Sequence, residues 1–226
     1  MNKKKTLGVL IPYYCNNEIC EREAKILVRL LKEQLSDDML LCIYEDGQYS
    51  EWLHEEFKNF NNVKIMGSEI NKGVSYAKNQ ILDYLIDKVK YILFLDMDDY
   101  IDDDYLPMVW EYCADNTHDI IETLFSIRNQ LITFEREKIR STPVGSAIKV
   151  EVIGKNRFKE NVQIGEDTDF MNTIVDLTKH RKKLCKTIYY YQLGINPDSL
   201  TIKYERREID KERGKENDKR NSKVKQ

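Results

Sequence analysis

Tyr91-Ile-Leu-Phe-Leu-Asp-Met-Asp-Asp-Tyr-Ile-Asp-Asp-Asp-Tyr-Leu106 is the stretch that decides the fold. Its first five residues are apolar, β-branched or aromatic, and do not alternate. That predicts a strand buried on both faces, as in the middle of a parallel sheet. The carboxylates begin where such a strand would leave the core. In open α/β sheets, ligands bind outside the carboxyl ends of the strands. Asp96 and Asp98 are two residues apart on a segment read as extended, so they are expected to point to one side. They repel each other unless a cation lies between them, and hard carboxylate oxygens favour Mg²⁺ or Mn²⁺. The stretch therefore predicts a metal and diphosphate site. It also reads as a solvated acidic turn in which one of Asp102 to Asp104 caps the next helix.

Before this stretch the chain alternates strand and helix. Leu7 to Ile11 is an apolar run stopped by Pro12, and Asn16 or Asn17 can cap a helix from Glu18 to about Leu35. Ile26, Leu27, Leu30, Leu31 and Leu35 recur on one face of that helix. Met39 to Tyr44 reads as a second buried strand ending in Glu45-Asp46-Gly47. Ser50 opens a short helix carrying Trp52, Leu53 and Phe57. Asn62 to Met66 is a weak strand, and Val74 to Asp87 a helix with Ala77, Ile81, Leu82 and Leu85 inward. Strict alternation implies a parallel sheet with right-handed crossovers, so the polar clusters at the strand ends converge on one edge.

Beyond Asp104 the texture changes. Tyr105 to Asp115 reads as helix, with Pro107 in its first turn. Asp119 to Ser126, Asn129 to Arg136 and Val144 to Val152 alternate in part and are expected as antiparallel or edge strands. Thr168 to about Lys179 reads as a helix, with Phe170, Ile174 and Leu177 inward. Lys186 to Leu193 reads as a last strand.

The 226 residues suit one sizeable domain, and the net charge of −3 gives no pull toward nucleic acid or anionic membrane. The charge is uneven. Lys203 to Gln226 holds ten Lys or Arg against six acids, a net of +4 that leaves −7 elsewhere. This tail lacks apolar periodicity and is expected to be a solvated helix or disordered. It could touch a membrane surface, an anionic polymer or a partner subunit, or only solubilise the chain. Five scattered cysteines without a C-x-x-C read as reduced thiols in a cytosolic protein. No apolar run reaches the ~20 residues of a membrane span, and the Lys-rich start lacks the apolar run of a signal peptide.

Five clusters remain: Pro12-Tyr-Tyr-Cys-Asn16, Glu45-Asp-Gly47, Asn71-Lys-Gly-Val-Ser-Tyr-Ala-Lys-Asn79, Asp96-Met-Asp98, and Gly165-Glu-Asp167. Their order and strand context resemble the family 2 glycosyltransferases of the GT-A fold, over about Leu7 to Thr201. The resemblance implies an α/β fold with a Rossmann-like, mostly parallel sheet and a smaller antiparallel acceptor-side portion. It implies one domain over residues 1–202, with a nucleotide-sugar half at 1–99 and an acceptor half at 100–202.

The resemblance also implies roles. Asp46 would read the donor base, though alone it reads as an Asp-Gly turn residue. Pro12 and Asn16 would belong to the donor site and Tyr14 would line the base pocket by stacking; an aromatic at a strand end explains Tyr14 as well. Asn71 and Gly73 would lie under the nucleotide. Lys78 stands where the family has arginine; it would offset phosphate charge without the arginine fork, or it is a surface lysine. Asp96 would be the ribose- and metal-side acid, Met97 would belong to the donor site, and Asp98 would ligate Mn²⁺ or Mg²⁺ directly. Asp99 would support that turn or start a helix.

Asp167 would be the catalytic base, with Glu166 orienting it or meeting the acceptor; both also suit a helix N-terminus. The chain departs from the family at Gln192, after Tyr189-Tyr-Tyr191, where a cation is usual, and no histidine follows His180. The implied activity is metal-dependent, inverting transfer from a nucleotide-sugar, UDP-linked by expectation, to a glycan, lipid-linked or protein hydroxyl. The rivals are a non-catalytic nucleotide-sugar-binding protein on the same fold, and a nucleotidyltransferase. The latter would want a glycine-rich, basic loop after the first strand, which Pro12 to Asn17 is not.

Overall fold

The computed structural model describes residues 3–127, 130–132, 141–162 and 165–192. The expectation for the charged tail, and all but residues 130–132 of the strand expected over Asn129 to Arg136, lie outside the described residues. The chain divides into two compact units, Met1–Tyr191 and Gln192–Gln226, and the fold below is that of the first.

The alternating half forms as the periodicity predicts. Strands β1 (Lys5–Tyr13), β2 (Met39–Asp46), β3 (Val63–Ser68) and β4 (Val89–Phe94) alternate with helices α1 (Glu18–Gln34), α2 (Glu51–Phe57) and α3 (Val74–Leu85). All four strands are parallel, with β1 between β2 and β4 and β3 outside β2. The rest adds β5 (Tyr100–Ile101), α4 (Tyr105–Ala114), β6 (Ile120–Ile127), β7 (Gln130–Ile132), β8 (Ser146–Lys149), α5 (Val150–Ile153), α6 (Glu166–Val175) and β9 (Arg181–Tyr191). The strand order is β3-β2-β1-β4-β8-β6-β9-β5, with β7 beside β6. β8 is antiparallel to β4 and to β6, as expected for the second half, but β9 runs parallel to β6.

Each sheet face has its own core. Leu7, Val9, Ile11, Leu41, Ile43, Tyr91 and Leu93 pack with α1, α2 and α4 on one face. Leu10, Cys42, Tyr44, Ile92, Phe94 and Ile148 pack with α3, α5 and α6 on the other. The central strands are apolar at every position because both faces are covered.

Several boundaries differ from the sequence reading. β1 runs through Pro12, which lies in register with Tyr44 of β2. Residues 10 and 12 turn their main-chain groups to the same side, toward β4, and β4 pairing ends at Leu10. No ladder bond remains there for the missing N–H to break. Ile26 is 38% exposed, and Ala24 and Val28 take its place in the buried stripe of α1. The run from Val144 is a short strand that turns helical at Val150. The cap of α1 is the expected one: Asn17 Oδ1 accepts from Cys20 N at 2.9 Å. All five cysteines are free thiols. Among the described residues no helix is long and apolar enough to cross a membrane.

Candidate active site

The ends of β1, β2 and β4 share one edge because the strands are parallel. At the end of β2, Asp46 is 3% exposed. Its Oδ1 accepts from Lys72 N at 2.7 Å and its Oδ2 from Gly73 N at 2.8 Å. The expected base reader thus holds the loop that opens α3. Asn71 Oδ1 also accepts from Gly73 N, at 3.1 Å. Gly47 follows Asp46 with φ +83°, and a Cβ there would stand 2.6 Å from Asn71 N. Only glycine lets the two loops approach so closely. Beside them Glu45, fully buried, accepts from Ser50 N at 2.7 Å and meets His54 Nε2 at 2.8 Å. Tyr49 stacks on that imidazole.

Helix α3 then carries the charge of the site. Lys78 is 3% exposed, so it is no surface lysine. Its Nζ lies 2.6 Å from Asp167 Oδ1, 3.8 Å from Glu166 Oε1, and over the ring of Phe158. The other oxygen of Asp167 accepts from Thr142 Oγ1 at 2.7 Å. Asn79, next to Lys78, closes a reciprocal pair of 2.9 Å bonds with the main chain of Phe158. The A-K-N segment therefore grips two later stretches: Lys78 holds Asp167, 89 residues away, by the ion pair, and Asn79 holds Phe158 by the amide clamp.

The acids after β4 do not continue an extended strand. Asp96 to Asp99 form a turn, with Asp99 N donating to Asp96 O at 3.3 Å. The side chain of Met97 is buried in the core on the α1 face. Asp99 is 1% exposed and accepts from the hydroxyl of Tyr189, which in turn accepts from Asp96 N at 3.2 Å. Asp102 does not cap α4; it accepts from Ile188 N at 2.7 Å and from the Tyr190 hydroxyl at 2.9 Å. The tyrosines of β9 thereby fasten the acidic turn from beneath.

The electrostatics follow from this packing. Burial pushes the Asp96 carboxyl up to about 7 against the pull of Lys78, with Asp98, Asp167 and Glu166 adding to the rise. Burial likewise raises Asp98, helped by Glu23 of α1, and raises Glu166. Burial disfavours the Lys78 cation, yet Asp167, Asp96 and Glu166 together outweigh it and raise its pKa. An acid whose pKa is higher folded than unfolded binds its proton more tightly in the native state. Its contribution to stability is therefore lost as pH rises from the unfolded value toward the folded one. The ligand-free protein is expected to melt a few degrees lower at pH 8 than at pH 5.5, and Asp96→Asn to flatten that slope. Thermal denaturation across that range checks it; a melting point that rises with pH would contradict it.

A divalent cation would relieve the same repulsion. Glu23 Oε2 is buried without a hydrogen-bond partner, and Glu23 lies close enough to Asp98 to raise its pKa. Among the described residues no three His, Cys, Asp or Glu side chains gather as a metal site.

Contacts thus link Asp46, Asn71 and Gly73 at the start of α3, and Lys78, Glu166 and Asp167 further along it, with Asp96 within electrostatic reach of the second group. Pro12, Tyr14 and Asn16 stand at the end of β1; Tyr14 is 50% exposed, its ring open to a ligand. Thr142, Tyr189 and Asn79 were missed as site residues. Thr142 has no motif, whereas the Tyr189-Tyr-Tyr191 run was a visible signal.

The chain matches the model for glycosyl transferase family 2 over residues 9–173. It is 33% identical over 217 residues to the "Minor teichoic acid biosynthesis protein GgaA" of Bacillus subtilis (strain 168), covering 85% of this chain and 48% of that protein. It thus spans about half the length of that relative. Among solved structures, S. aureus TarS 1-349 in complex with UDP-GlcNAc superposes with a TM-score of 0.71 at 18% identity, over 86% of this chain and 60% of that one. The mannosyltransferase PcManGT from Pyrobaculum calidifontis, in complex with GDP-Man and Mn²⁺, superposes with a TM-score of 0.59 at 12% identity, over 85% and 58%. These two likenesses show the fold: a mixed α/β, mostly parallel sheet with an antiparallel portion, as the GT-A expectation required.

Proposed function

This chain belongs to glycosyl transferase family 2, and from that premise we propose that it moves a sugar from a UDP-sugar to a hydroxyl of a cell-surface polymer of the teichoic acid class, with inversion and with Mn²⁺ or Mg²⁺. One observation carries the reading. Buried Lys78 pairs with Asp167 at the start of α6 at 2.6 Å and feels the charge of Asp96 after β4, which supports a reading in which donor-side and base-side carboxylates work around one cation. The polymer class is taken from the name of the Bacillus subtilis relative, and UDP-GlcNAc as first donor from the TarS complex.

The residues divide the work. Tyr14 and the loop held by Asp46 receive the nucleotide. Asp98, with Asp96 and Glu23 nearby, would hold the metal, which supplies Lewis-acid stabilisation of the departing diphosphate. Asp167 accepts the proton of the acceptor hydroxyl as its oxygen attacks the anomeric carbon. The test is a panel of sugar nucleotides with Mn²⁺, reading release of nucleoside diphosphate and gain of sugar by teichoic acid. Folded protein that releases nothing with any donor would refute the proposal. Asp98→Asn is expected to weaken UDP binding in Mn²⁺ by tenfold or more while leaving the weaker binding in EDTA in place. Calorimetry with and without the metal checks this, and equal affinity in Mn²⁺ would remove Asp98 from the metal site.

A further inference from the structure

Asp167 is held by two partners of unlike kind. Lys78 is a buried cation, seated on Phe158, whose ring stacks on Phe170 and whose main chain is clamped by Asn79. It cannot leave Oδ1 without stranding a charge in the interior. Thr142 is a neutral hydroxyl on the segment that leads into β8. It donates to Oδ2 at 2.7 Å, and that oxygen belongs to the more exposed partner of the ion pair. Thr142 Oγ1 has a second contact, 3.3 Å from Val144 N, which remains to it if Asp167 turns away.

A base that takes a proton from an acceptor hydroxyl needs a carboxylate oxygen facing that hydroxyl. In this structure an O–H already sits there, and it is the hydroxyl of Thr142. We infer that Thr142 occupies the seat of the acceptor hydroxyl on Asp167, so that Lys78 is the fixed half of the clamp and Thr142 the half the acceptor displaces. The exchange replaces one neutral O–H donor on Oδ2 by another, so Asp167 keeps its hydrogen bonds, and Thr142 Oγ1 keeps the one it accepts from Val144 N. In the transfer that follows, the acceptor oxygen bonds to the anomeric carbon as the bond from that carbon to the β-phosphate oxygen breaks. The electron pair leaves with UDP, and the acceptor proton passes to Oδ2. The seat also marks where the acceptor enters: past the segment before β8, where the sequence offers no motif. Until then Thr142 fills the Oδ2 seat that a water would otherwise take.

The inference rests on the transferase reading above, and the test separates the two. Water is the probe, as the smallest acceptor, with UDP-GlcNAc as donor and Mn²⁺ present. Thr142→Val keeps the shape and removes the O–H, so it empties the seat. Hydrolysis of UDP-GlcNAc is expected to rise about two- to tenfold, the range one neutral hydrogen bond commands, with UDP affinity unchanged. Thr142→Ser restores the O–H and is expected to rescue the low hydrolysis. Hydrolysis that stays level or falls in the valine variant would overturn the inference, because Thr142 would then support Asp167 and not block it. A serine variant as leaky as the valine variant would overturn it as well, and guards against a folding defect in the latter. If the unmodified protein binds neither UDP nor UDP-GlcNAc, the transferase reading fails instead, and the seat with it.

Discussion

Asp167→Asn is expected to slow glycosyl transfer by about 10²- to 10⁴-fold, the usual contribution of a positioned general base. The amide has the size of the carboxylate; its one oxygen can still accept from Lys78 while its NH₂ donates to Thr142 Oγ1, so the donor side should keep its shape. It cannot take a proton from an attacking hydroxyl. UDP affinity in Mn²⁺ should therefore stay close to that of the unmodified protein while turnover collapses. Initial rates together with calorimetric UDP binding measure the split. Unreduced turnover would exclude Asp167 as the base. Attention would then move to Glu166, 3.8 Å from Lys78.

Lys78→Met is expected to destabilise the protein by about 3–5 kcal/mol, the cost of removing one partner from a buried ion pair. Methionine replaces most of the aliphatic stem, so little of the loss comes from a cavity. The loss is electrostatic: Asp167, Asp96 and Glu166 are left facing one another without their cation. Urea unfolding at pH 8 measures it. The penalty should shrink at pH 5.5, because Asp96, with its carboxyl up at about 7, takes a proton there and leaves the repulsion. A loss under about 1 kcal/mol, typical of a solvated pair, would mean that water already reaches the cluster.

What the sequence disclosed follows from how each element is buried. β1, β2 and β4 are covered on both faces, and a doubly buried strand writes itself as a continuous apolar run. The stripes of α1 and α3 are equally plain at helical spacing. β5 is two residues long and cannot show a period. The start of β9 is Arg181-Lys-Lys183, polar because that end of the strand is only half-buried, so its pairing with β6 leaves no apolar trace. At Val150 an apolar run passes from strand to helix, and periodicity cannot divide so short a run. In the site, residues held by local spacing were readable. The Asp96-x-Asp98 and Gly165-Glu-Asp167 clusters stand at the element ends where they were expected. The partner of Lys78 was not readable, because an ion pair across 89 residues has no local signature, and the same holds for Thr142.

Asp46 gives both its oxygens to the amides that open α3, and the same helix, one and a half turns on, delivers Lys78 to Asp167. Under the proposed roles, donor choice at Asp46 and proton removal at Asp167 are mechanically geared. An engineer who randomises position 46 to admit a different nucleotide would also retune the catalytic pitch of the helix. Useful variants should therefore emerge in tandem with compensating changes at Asn71 or Lys72, and single replacements should trade turnover for any new preference.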